Sequence, residues 1–199
     1  MRKIIVMMVL SLVATSFYGQ GLNQKDRQQI DQRVGSFLQQ ISDKNYTGLV
    51  DYIYPRVFEH TSKDQMFKTF AMLEQMGITL KFQNMEVLEA KALSTVDNIE
   101  YAMIKYNLDM TLPLTTDDLK GFAPLIVPSL ESNFGKGNVI YNKAENYIRV
   151  KGQKYLMGVK DPEYKSQWLF LIYDASFKSA ITKIVPAKVN QQAAAIAGK

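Results

Sequence analysis

From Asn98 to Leu114 the chain reads NIEYAMIKYNLDMTLPL, and between Ala102 and Leu112 every second residue is apolar or aromatic. Ala102, Ile104, Tyr106, Leu108, Met110 and Leu112 fall on one side, with Met103, Lys105, Asn107, Asp109 and Thr111 on the other. This alternation predicts a β-strand with one buried and one largely wet face. A strand so long, ending at Pro113, cannot stand alone. It predicts a central, curved member of an antiparallel sheet whose apolar face needs a helical cover.

The cover precedes it in the chain. Ile30, Val34, Phe37, Leu38 and Ile41 recur at helical spacing behind a cap at Asn23 or Asp26. Asn45 can cap a second helix from Tyr46 to Tyr54, which Pro55 ends. Ser62 and Gln65 have capping-box spacing for a third helix through Met66, Phe67, Phe70 and Leu73, and Gly77 is placed to close it in the left-handed conformation. From Ile78 the period changes to two, with a slip that predicts a bulge near Asn84.

Pro124 and Pro128 break any long helix between Thr115 and Gly137, so this stretch predicts an irregular insertion at 115–137. One or two short helices there would carry Leu119, Phe122, Leu125, Ile126 and Leu130 inward and form the lip or lid of a cavity. Short strands follow at Val139–Tyr141, Tyr147–Lys151 and Lys154–Val159, separated by a KAEN turn and a turn at Gly152. Gln167–Asp174, QWLFLIYD, is apolar on both faces and predicts a strand covered on both sides. Ala180–Val185 predicts a last strand, and residues 191–199 a flexible tail, frayed or weakly helical.

Arg2 and Lys3, the apolar run Ile4–Ala14 and the small residues after it have the layout of a secretory signal peptide over residues 1–20. Residues 21–190 then form one domain, secreted or periplasmic, with no membrane span after cleavage. The chain has no cysteine and one histidine, His60. It therefore has no lipid-attachment cysteine and no disulfide, and zinc, iron–sulfur and thiol chemistry are excluded along with any cofactor that needs them. Residues 20–135 hold 11 Lys/Arg against 15 Asp/Glu, whereas residues 136–199 hold 11 against 4. No aromatic and basic interleave accompanies the basic half, which argues against nucleic acid as a partner.

Three features together resemble the nuclear-transport-factor-2-like (cystatin-like cone) superfamily. They are the helical stretch from Phe37 to Phe70, the long strand Ile99–Leu112, and QWLFLIYD followed by AITKIVPAKV. The resemblance implies an α+β fold in which N-terminal helices pack on a strongly curved, cone-like antiparallel sheet around a mostly apolar pocket. It implies little about activity, because the superfamily holds both enzymes and binding domains. Ketosteroid-isomerase-like members oppose a dry carboxylate base to a tyrosine; Asp51 and Asp109 are the carboxylates of that type here, but no catalytic motif matches residue by residue.

The pocket candidates are Tyr52, Tyr54, His60, Tyr101, Tyr106 and Trp168. His60, beside Glu59, is either a base held by a carboxylate or a solvated residue ahead of a helix cap. The sequence favours a non-catalytic binding domain for a small apolar ligand or a protein partner. The alternatives are an isomerase or dehydratase with a carboxylate/tyrosine pair in the pocket, and a homodimeric scaffold pairing through the sheet.

Overall fold

A computed structural model describes residues 21–198; the signal-peptide expectation falls on residues 1–20, outside the described part. The two central strands, β3 (Glu100–Pro113) and β5 (Tyr147–Lys160), pair antiparallel without a break, from Glu100 opposite Lys160 to Pro113 opposite Tyr147. Each carries a divided outer neighbour. β1 (Lys81–Asn84) and β2 (Val87–Ala92) share the free side of β3, while β4 (Val139–Asn142) and β6 (Trp168–Ile172) share that of β5. The fold is α+β with a six-stranded antiparallel sheet. The pairing of β1 slips between Phe82 and Asn84, where the sequence predicts a bulge.

Helix α1 (Gln24–Ser42) starts at Asn23, whose side chain accepts from the Asp26 N–H, and buries Ile30, Val34, Phe37 and Leu38. These pack on Ala102, Ile104, Leu156, Trp168 and Phe170, on one face of the sheet, hereafter the α1 face. The expected second helix is shorter: α2 (Tyr46–Leu49) passes into a 3₁₀ turn, and Ile53 and Tyr54 then run beside Phe170. Helix α3 (Lys63–Gln75) has the Ser62 cap and the Gly77 stop, at φ +73°. None of its residues is buried; Phe70 stacks on Tyr46 with ring centroids 4.1 Å apart.

The irregular insertion is corrected by the structure. Residues Asp117–Phe134 form one helix, α4, with both prolines inside it. Pro124 and Pro128 lie on the exposed side, so the carbonyls that lose their N–H partners, those of Lys120 and Pro124, are on the side open to water. The opposite side gains more than the prolines lose: Leu119 and Ala123 are buried, and Ile126, Val127, Leu130 and Phe134 pack on Leu112, Ile148 and Val150. Phe122 and Leu125, expected inward, are 48% and 72% exposed.

The C-terminal end is the larger correction. In place of a strand and a flexible tail the chain forms α5 (Lys178–Ile184) and α6 (Ala187–Ala197). The outer edge of β6, where a further strand would pair, is taken by residues 53–54. Ile181, Ile184, Val185, Val189 and Ala193 instead bury themselves on Tyr101, Met103, Met157, Val159, Leu169 and Leu171. This is the opposite face of the sheet, hereafter the α6 face. The start of β3 is consequently buried on both sides, not on one, and QWLFLIYD splits as its pattern predicts, Trp168 and Phe170 to α1 and Leu169 and Leu171 to α6.

Gly152 is not a turn but an interior residue of β5. A side chain there would meet Phe134 Cδ1 at 3.1 Å, so the glycine lets the last ring of α4 lie against the strand. Among the described residues, no helix is long and apolar enough to cross a membrane.

Candidate functional site

On the α1 face, α1 covers one end of the central strands and α4 the other. Between them lie Tyr106 and Leu108 of β3, paired with Lys154 and Gly152 of β5. Lys154 is the anomaly. Its neighbours on the same face of β5, Val150 and Leu156, are buried and apolar, and lysine enters such surroundings only when paired.

Three groups hold its ammonium: Asp174 Oδ2 at 3.2 Å, the Asn133 carbonyl at 3.3 Å, and the Phe134 ring with its centroid 4.3 Å from Nζ. The carbonyl belongs to the last turn of α4, where helix dipoles favour a cation. Asn138 Nδ2 donates to the neighbouring Phe134 carbonyl at 2.7 Å, so two side chains close that helix end.

Tyr106 completes the set. Burial, aided by the Asp174 carboxylate, pushes its phenol up to about 12, so it stays a neutral donor at any ordinary pH. A groove of about 440 Å³ opens beside Lys154, lined by Asn133, Phe134, Asn138, Gly152 and Gln153. Ammonium and carboxylate cancel here, leaving a polarised but uncharged site: a place for a hydroxyl or carbonyl group, with Phe134 as its apolar neighbour. The pocket size is within the range of small-molecule sites.

The six pocket candidates from the sequence fall in several settings. Tyr106 is in the gap just described. Tyr54 and Tyr101 are buried on the α6 face, where Tyr54 donates to Asp161 Oδ2 at 2.7 Å. Burial, reinforced by that carboxylate, raises the Tyr54 phenol far above its ordinary value. This is a tyrosine/carboxylate pair of the type an isomerase needs, but it is sealed in packed side chains. His60 is exposed, at the end of a 3₁₀ turn. Tyr52 is half-buried under the Arg33 guanidinium, 4.9 Å from its ring centre. Asp51 is exposed, and Asp109 takes both Arg149 nitrogens on the wet part of the sheet, so neither faces a dry pocket.

Trp168 is fully buried, and its Nε1 donates to Asp26 Oδ1 at 3.1 Å. Asp26 also accepts from Lys160 at 2.9 Å and Asn23 at 2.7 Å. Burial pushes its carboxyl up, but these donors outweigh it and hold the group below the usual carboxylate range. A second cavity of about 280 Å³ adjoins this cluster, with Tyr101, Glu100, Ser94 and Gln192 in its wall.

Sequence reasoning missed Lys154 and Asp174 as partners. The signal for the lysine was present, since Lys154 shares the parity of Leu156 once Gly152 is read as strand. The signal for Asp174 was not, because its approach depends on where β6 ends in space. Among the described residues no His, Asp or Glu cluster has the form of a metal site. Neither a protein-family model nor a curated protein matches the chain, so the site is interpreted from its own geometry.

Proposed function

We propose that the chain is a secreted or periplasmic binding domain that takes a small ligand on the α1 face, in the gap between α1 and α4. The observation that carries this reading is Lys154, a charged residue held in a neutral polar cluster between the apolar surfaces under α1 and α4. The ligand has an apolar body and one uncharged polar group. Support for the wider fold reading, a bent cone-like sheet of the nuclear-transport-factor-2-like type, comes from the helix-first order and the two long central strands with divided neighbours. The α5–α6 cover is outside that resemblance.

The experiment is a two-dimensional amide NMR titration with 1-decanol and with a neutral hydroxysteroid. Shifts concentrated at Tyr106, Phe134, Gly152 and Lys154, and lost in Lys154→Met, are expected. No saturable shift at these residues with either probe sinks the reading.

An isomerase or dehydratase is the second reading, favoured by the Asp174 carboxylate acting on the partly buried Tyr106 phenol beside Lys154. A homodimer through the sheet is disfavoured, because the uncovered part of the α6 face has a net positive charge that two copies would bring together.

A further inference from the structure

The charge asymmetry of the sequence becomes an asymmetry between the two sides of the sheet. Helices α1, α3 and α4, on the α1 face, carry Lys25, Arg27, Arg33, Lys63, Lys68 and Lys120 against a slightly larger set of acids. On the other side, residues 175–198 contain Lys178, Lys183 and Lys188 and no acid. All three lysines are exposed, while Ile181, Ile184, Val189 and Ala193 face the sheet. The strand positions pointing to this side add Lys81, Lys91, Lys105, Arg149 and Lys151 against Glu89 and Asp109. Beyond α5 and α6 that half of the sheet is uncovered among the described residues, and it is broad, spanning β1, β3, β5 and β4.

Two exposed apolar side chains accompany these cations, one beside Lys178 and one on the strand positions pointing to this side. Phe177, 49% exposed, immediately precedes Lys178 at the start of α5, and Ile140, 52% exposed, stands opposite Arg149. Exposed apolar residues among lysines suit the boundary between lipid headgroups and acyl chains, where each cation near the surface and each buried apolar group adds to binding. A free polyanion would use the cations but not Phe177.

We infer that the α6 face is a docking surface for an anionic phospholipid bilayer, holding the α1 face and its crevice toward the aqueous side. Binding is reversible and salt-dependent, since exposed charges a Debye length apart are screened. The inference does not depend on the ligand reading: it concerns the other face and would stand if the crevice bound nothing.

The test is co-sedimentation of residues 21–199 with vesicles of phosphatidylcholine alone and of phosphatidylcholine with 30% phosphatidylglycerol, at low and high salt. Binding to the anionic vesicles only, weakened by salt, is expected. A variant with Lys178, Lys183 and Lys188 all changed to Gln should partition at least tenfold more weakly, at about fivefold per lysine near a fully charged surface. Phe177→Ser should weaken binding further, whereas Lys25→Gln with Lys68→Gln, on the α1 face, should not. Circular dichroism and thermal melting check that each variant is folded. Failure to sediment with anionic vesicles overturns the inference, as does equal weakening by the α1-face control. Binding to heparin without binding to vesicles overturns it too and makes the occupant a soluble polyanion.

Discussion

Two lysine–aspartate pairs stand on the same face of β5 and differ in how they are closed. Lys160 and Asp26 meet at 2.9 Å under the start of α1, and the carboxylate, with its side chain 5% exposed, also receives Trp168 and Asn23. Lys154 and Asp174 meet at 3.2 Å beside the gap between helices, with side chains 22% and 20% exposed. The first joins α1 to β5 and β6, so it is a clamp. The second lies where water and a ligand can reach it, so its partners can be exchanged. Closure by neutral donors, rather than the ion pair itself, separates a structural charge from one available for binding.

The comparison breaks most visibly at Asp26. Asp26→Ala leaves Lys160 with Glu100 alone and the Trp168 N–H without an acceptor, and should cost roughly 3 kcal/mol in urea unfolding, at the lower end for a buried pair because Lys160 retains some exposure. A loss below about 1 kcal/mol would mean that the cluster is not a clamp. The pH dependence has a definite sign. The folded pKa of Asp26 is depressed, so its contribution is present above the unfolded value near 3.9 and is lost as pH falls through the folded value. Wild type and Asp26→Ala should therefore converge in stability toward pH 2.

Paired glycines sharpen the contrast at intermediate size. A Cβ at Gly158 would stand 3.1 Å from both Ile104 Cδ1 and Trp168 Cε3, in sealed core, and Gly158→Ala should cost about 1–3 kcal/mol. A Cβ at Gly152 would stand at the same distance from Phe134 Cδ1, but that ring is only half-buried and can move outward. Gly152→Ala should therefore cost clearly less, measured in the same unfolding experiment. Equal costs would show that the gap is as tightly packed as the core.

The smallest effect is expected at the open pair. Lys154→Met should change stability by no more than about 1 kcal/mol, since Asp174 keeps contact with water and the methionine stem retains the packing. Thermal melting measures this directly. A loss as large as that of Asp26→Ala would make Lys154 a second clamp and remove the basis for a binding role.

Much of this fold was legible in the residues. The Ile30–Leu38 stripe, the Ser62 cap, the Gly77 stop and the slip at Asn84 each depend on neighbours a few positions away, and each lies where its local chemistry puts it. The readings that failed rested on local rules that distant contacts outweigh. Two prolines stop a helix in isolation, yet α4 continues because its apolar side finds Leu112, Ile148 and Val150. Gly152 looks like punctuation until Phe134 is found against it. Of the candidate site, only Tyr106 was named from the sequence.

By itself the sequence determined the class of fold and the central strand, because a period of two over eleven residues leaves the backbone a single way to bury its apolar side. It also determined the excess of positive charge toward the C-terminus. Tertiary structure alone decided that Ala180–Val185 becomes part of a helical cover, because the edge it would have paired with was occupied, and that this cover brings its lysines to the side of the sheet to which Arg149 and Lys151 point. It alone brought Asp174 to Lys154. Contacts between residues that are near in space but separated by other elements follow from how helices divide the two faces of a sheet, and no local pattern records that division.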